Sequence, residues 1–190
     1  MLKENFIKKF YPKNYVCHAF DHLQRVHKFA MNIAKTEKSV NYKILDAAAW
    51  FHDLARPLES QGKCKCHAEH GAKIVIPILK KLKFSENEIK QVSEAIAVHR
   101  YSTGKKAESI EAKILQDADR LDAIGAISVA RIFSYGGREG RSIENGVKRF
   151  YFKQIKLKPS TFITKTAKKI AERKYNLTKL FLKEIEEDLR

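Results

Sequence analysis

The sequence predicts an all-α protein, a single-domain helical bundle, and three observations carry that expectation. Only 8 glycines and 4 prolines interrupt 190 residues, so long stretches lack the two residues that most disfavour helix. Apolar residues recur through those stretches at spacings of three and four, the period of one helical face. A hydrophobic share of 44% with 10% aromatics lies well outside disordered compositions and suffices for one compact domain without disulfides.

The first strong helix is expected over residues 19–36, where His22, Val26, Phe29, Ala30 and Ile33 share one side. Residues 42–54 contain ILDAAAWFHDL, apolar over more than one face, as for a helix in the middle of a bundle that ends on His52-Asp53 ahead of Pro57. Residues 67–82 place His67, His70 and Ile74 in one row, and Pro77 is expected to kink that helix or cut it short. Ser85 followed by Glu88 reads as a capping box, with Ile89, Val92, Ile96 and His99 following at helical spacing. From residue 108 to about 133 one unusually apolar helix is expected, carrying Asp117, Asp119 and Asp122 in its middle. A Gly-rich turn is expected at Gly136-Gly137, more a flexible loop than a phosphate cradle. The last helix is expected over 164–189, with Ile170, Leu177, Phe181 and Ile185 as its apolar line. Only short breaks separate these segments, at Pro12, 56–65, 102–108, 135–141 and 158–160.

The formal charge of +16 and pI of about 9.7 are large for this size, and raise the on-rate of any phosphorylated or polyanionic partner. From 141 to 190 there are 14 lysines and arginines against 6 acidic residues. A solvated lysine-rich surface is the simplest account, with nucleic-acid binding and substrate steering as its rivals. Three cysteines, Cys17, Cys64 and Cys66, cannot all pair within the chain and suit a reducing interior. Neither a signal-type apolar region nor a membrane-length apolar run occurs, so a cytoplasmic protein is expected. Oligomeric state is not legible here.

The chemistry lies where histidines and carboxylates occupy positions whose pattern asks for a hydrophobe: His22, His52-Asp53, His99 and the aspartates of 108–133. Burying such groups without partners is costly. A divalent cation resolves the cost, since imidazole nitrogen and carboxylate oxygen together suit manganese, iron, cobalt or nickel and tolerate zinc or magnesium. Periodicity leaves Asp117 and Asp119 as alternatives for the distant carboxylate. Cys64-x-Cys66-His67 lacks the second Cys pair of a structural zinc site, and no P-loop or esterase elbow is present.

HLQRVHKFA from His22, AAAWFHDLA around His52-Asp53 and ILQDADRLDAIGAI around Asp119 together resemble the HD superfamily of metal-dependent phosphohydrolases, over about residues 17–131. The resemblance implies one HD domain over residues 1–190, with C-terminal helices from about 141 to 190. It also implies a metal set of His22, His52, Asp53 and Asp119, with His52 and Asp53 at the catalytic centre and Asp117 and Asp122 supporting. His67, followed by Gly71, and His99 stand where binuclear relatives place further histidines, for a second metal or a substrate phosphate. Arg25, Arg100 and Lys105 are the nearest cations in sequence for binding phosphate, although Arg25 and Arg120 could instead brace helices through salt bridges.

The implied activity is that of a phosphatase or nucleotide pyrophosphohydrolase on a nucleotide or similar small phosphorylated compound. Water activated by the ion attacks phosphorus; Asp53 orients it, and Asp122 or another carboxylate receives its proton. The alternative is a non-catalytic HD module that binds nucleotide or nucleic acid through its basic surface.

Overall fold

The computed structural model describes residues 1–11 and 20–190. Pro12, Cys17 and the expected helix start at residue 19 lie outside the described residues. No strand occurs among the described residues, and the all-α expectation is borne out. The helices are α1 (Glu4–Ile7), α2 (Phe20–Ala34), α3 (Tyr42–Phe51), α4 (Arg56–Ser60), α5 (His67–Lys81), α6 (Glu86–Val98), α7 (Ile110–Asp122), α8 (Ala126–Arg138), α9 (Ile143–Phe152) and α10 (Lys165–Asp188). They form two compact units, Met1–Ala118 and Asp119–Arg190, with the boundary inside α7.

In the first unit, α3 packs against α2 and α6, and α5 packs along α6. The side chains from Ile44 to Phe51 are all buried, as an apolar run without a polar face requires. Asn41 caps α3, accepting from the backbone N–H groups of Lys43 and Ile44. The capping box of α6 is present in both directions: Ser85 Oγ accepts from Glu88 N–H, and Glu88 accepts from Ser85 N–H. Pro77 does not cut α5 short, because the helix runs on to Lys81. It stops in a paired turn in which Lys83, at φ +60°, sends its N–H to Lys80 O while Phe84 N–H reaches Leu79 O. The break expected over 56–65 holds the short helix α4, with Pro57 in its first turn, where a missing N–H is harmless.

Two expectations for the region after residue 108 are corrected. The single long helix is two, interrupted at Gly125, whose φ of +80° lies in a region side chains rarely adopt. Gly136 and Gly137 lie inside α8 and form no turn. The helix ends instead at Gly140, φ +63°, where Gly140 N–H bonds Gly137 O and Arg141 N–H bonds Gly136 O.

In the second unit, α8, α9 and α10 enclose Val147, Phe150 and Leu182, with Phe133 and Phe181 packed on them. The buried line of α10 is Ala167, Ala171, Thr178 and Leu182, while Leu177 is 44% exposed. Phe181 and Ile185 of the expected line do pack on the core, and the correction falls on Leu177. Thr178 is buried because its hydroxyl accepts the Gly125 N–H at 2.9 Å.

Candidate metal centre

Four histidines of the first unit converge on one carboxylate, that of Asp53. His22 lies on the buried face of α2, His52 is the last helical turn's cap on α3, His67 opens α5 and His99 caps α6. All five side chains are at most 4% exposed. The apolar packing of α3 between α2 and α6 carries its C-terminal end, and so His52-Asp53, into the interior.

The two oxygens of Asp53 face different histidine pairs. Oδ2 is 3.5 Å from His22 Nε2 and 3.9 Å from His52 Nε2. Oδ1 is 3.2 Å from His67 Nε2 and 3.8 Å from His99 Nε2. Within each pair the Nε2 atoms are 3.3 Å apart.

The opposite ring nitrogens orient these imidazoles. His52 Nδ1 is 2.9 Å from Ala49 O, and His99 Nδ1 is 2.7 Å from Ile96 O. A carbonyl only accepts, so each Nδ1 carries a hydrogen and each Nε2 points inward, where the neutral ring would offer its lone pair to a cation. His67 Nδ1 lies 3.0 Å from both Glu59 Oε2, which only accepts, and Arg56 Nη1, which only donates, so the ring is held from behind by either contact. The Nε2 atoms of His67 and His99 therefore stand 3.3 Å apart beside Asp53 Oδ1. Ligand atoms of His52, Asp53 and His99 all lie within 4.8 Å of one another. Neutral imidazole nitrogens around a shared carboxylate fit a divalent cation.

Two contributors escaped the sequence reading. Glu59 on α4 orients His67 and also accepts from Arg56 at 2.8 Å and Arg100 at 2.6 Å. Burial alone would raise its pKa, yet the neighbouring His67, two hydrogen bonds from it and Arg56 hold the carboxyl below the ordinary value. Its only sequence signal is a carboxylate on a proline-started turn eight residues before His67. Tyr11 donates to Trp50 O at 2.7 Å. Burial, and secondly the Asp53 charge, push its hydroxyl pKa well above the usual value.

The remaining expected residues are placed as follows. Arg25 pairs with Asp21 at 2.6 Å, one helical turn back. Arg100 is held by Glu59, and Lys105 by Glu69 at 2.5 Å. His70 is half-buried on α5, outside the contacts of the histidine cluster. Cys64 and Cys66 are free thiols, half-buried, and Cys64 Sγ lies 3.9 Å from Ala55 O. In α7, Asp117 and Asp122 are fully buried, and Asp119 is half-buried. Asp122 is ion-paired with Arg131, which leaves it poorly suited as a free proton acceptor. Arg120 is buried, donates to Thr161 O at 2.7 Å and stacks over Phe162, so it braces the second unit.

A family model for the HD domain matches residues 19–124, more than half of the chain. The chain belongs to the HD domain family. It is similar over 98% of its length to a predicted HD superfamily hydrolase from an uncultured Thermotogales bacterium, at 33% identity, 91% coverage of that chain and a TM-score of 0.73. An HD-superfamily hydrolase from Bacillus thuringiensis is similar at 32% identity, with 98% of this chain and 94% of that one covered and a TM-score of 0.77. Bacillus subtilis YpgQ in complex with ADP is similar at 25% identity, with 98% and 97% covered and a TM-score of 0.78. As an HD domain, the chain has in its His/Asp cluster the donors that a divalent metal requires. No helix among the described residues is long and apolar enough to cross a membrane.

Proposed function

We propose that this protein is a metal-dependent phosphohydrolase acting on a nucleotide or similar small phosphorylated substrate. The observation that carries the proposal is the inward set of four histidine Nε2 atoms around both oxygens of Asp53. His22, His52 and Asp53 would hold one cation, with Asp119 assigned as a further ligand by its order in the HD-type sequence pattern. His67 and His99 stand at the other oxygen, where they would hold a second cation or bind a substrate phosphate. The YpgQ complex with ADP supports a nucleotide as substrate.

Divalent cations in such a site supply charge that acidifies water and offsets the charge building on a phosphoryl oxygen. The protein's own groups do the positioning. Asp53 Oδ1 and Oδ2 accept hydrogen bonds and orient the attacking water; the backbone carbonyls of Ala49 and Ile96 hold His52 and His99 in one tautomer. Arg25, Arg100 and Lys105 are assigned to the substrate phosphates, for which each would exchange a carboxylate partner. Lys105 exchanges most readily, because its partner Glu69 is exposed.

The test is release of phosphate and pyrophosphate from a nucleotide panel by stripped protein resupplied with manganese, cobalt, nickel or magnesium. Metal-dependent turnover by the wild type, lost in Asp53→Ala, is the expected result. Nucleotide binding without turnover under any metal would replace the hydrolase with a non-catalytic nucleotide-binding module.

A further inference from the structure

The second unit carries a concentration of positive charge that the metal centre does not use. Between residues 148 and 183, twelve lysines and arginines stand against one acidic residue, Glu172. On α10, Lys165, Lys168, Lys169, Lys179 and Lys183 are all exposed, and at 3.6 residues per turn they fall within an arc of about 100°. No carboxylate of the described residues pairs with Lys165, Lys168 or Lys169.

The order of charges along α10 runs against helix stability. Its first turn holds Lys165 and no acidic residue, while the last five residues include Glu184, Glu186, Glu187 and Asp188 and no basic one. The helix macrodipole favours the reverse order, acids first and bases last. A helix selected only for stability and solubility would not accumulate lysine at its positive end, so the arrangement points to a ligand that rewards it. Such a ligand is polyanionic.

A second element extends the face. Tyr175 Oη donates to Ile155 O at 3.0 Å, and Tyr151 Oη to Glu186 at 2.6 Å, which lays residues 151–155 alongside α10. Lys156 and Lys158 follow, both exposed. Phe152 is 75% exposed, with the Lys156 ammonium 5.3 Å from its ring centroid. An exposed ring beside lysines offers a stacking platform, which an unpaired base can use and a base held in a duplex cannot. An anionic membrane fits less well, since the side of α10 opposite its lysines is buried within the unit and only Leu177 and Leu180, to one side of the lysines, are exposed apolar residues of the helix.

We infer that this face, Lys165, Lys168, Lys169 and Lys179 on α10 with Phe152, Lys156 and Lys158 beside it, binds single-stranded nucleic acid, the phosphates on the lysines and a base on Phe152. Fluorescence anisotropy of the full chain with a labelled oligouridylate, a duplex of equal length and phosphatidylserine vesicles as competitors tests it. Wild type is expected to bind the oligouridylate with an affinity that falls linearly in log salt. The combined variant Lys165→Glu, Lys168→Glu, Lys169→Glu is expected to flatten that slope by about 2, from ~0.7 for each of three lost phosphate contacts. Its Tm should stay equal or rise, because Lys165→Glu puts an acid at the positive end of the helix dipole; should it fail to fold, the Lys→Gln triple reads the same slope. Phe152→Ala is expected to weaken oligouridylate binding about fivefold or more, leaving the salt slope and duplex binding unchanged. An unchanged slope in the triple variant, no effect of Phe152→Ala, or tighter binding to vesicles or duplex than to single strand would each overturn the inference.

Discussion

His67 Nδ1 lies 3.0 Å from Glu59 Oε2, on the far side of the ring from Asp53. Glu59 therefore holds the His67 ring from behind and, through Arg100, ties α4 to the end of α6. A carboxylate behind a ligand histidine raises its basicity and holds its plane. Glu59→Ala is expected to weaken manganese binding by about 10–100-fold, read by calorimetry on stripped protein. Unchanged affinity would mean that Asp53 and packing alone orient the ring.

Metal removal should destabilise the first unit, because a cation held by the inward histidine nitrogens and Asp53 binds only the folded chain. At a free manganese concentration of 100 times Kd, ligand binding adds about 2.7 kcal/mol to stability. The expected result is a higher Tm with manganese than with chelator, and no metal-dependent rise in the double variant His52→Ala, Asp53→Ala. Equal Tm values in wild type would count against a cation at this centre.

In the second unit, a Cβ built on Gly146 would stand 2.6 Å from Phe133 Cε1. That ring is packed against Phe150 and Phe181, with centroids 6.1 and 5.8 Å away, so it has little room to retreat. Gly146→Ala is expected to destabilise by about 1–3 kcal/mol, despite alanine's better helix propensity. Urea denaturation measures it, and a neutral or stabilising outcome would mean that the aromatic cluster repacks freely.

Glu88 joins α6 to α3 through both oxygens on Lys43 Nζ, each at 2.7 Å. The Lys43 hydrogen bond, and then the Ser85 N–H bond, hold its carboxyl below the ordinary value. A lowered folded-state pKa contributes stability above the unfolded value of about 4.3, and that contribution fades as pH falls through the folded pKa. Glu88→Gln keeps an acceptor for the capping box and removes the charge. Its Tm should fall short of wild type near neutral pH and converge with it in acid. A gap that persists below the folded pKa would assign the effect to shape instead of charge.

The sequence alone determined what depends on near neighbours along the chain. The absence of strand pattern and the Ser85–Glu88 box are local properties, and both appear as expected. His22, His52 and His99 were legible because each interrupts or closes an apolar stripe, and His67 because it is followed by Gly71 as in the resembled family. The interruptions at Gly125 and Gly140 were not, because a glycine permits positive φ without requiring it, as Gly136 and Gly137 demonstrate inside α8. Nor was the buried line of α10, since periodicity marks a stripe but only the neighbouring chain, here Gly125 against Thr178, decides which side is covered.

Tertiary structure decided everything about how the site's groups meet. Asp53 and His99 are adjacent only because α3 and α6 pack together, and Glu59 reaches His67 only because α4 turns back toward α5. The carbonyls of Ala49 and Ile96 turn His52 Nε2 and His99 Nε2 inward from three positions back, while Asp53 and His99 meet across 46. Residue identities set which chemistry is available, and packing sets which lone pairs point at one another.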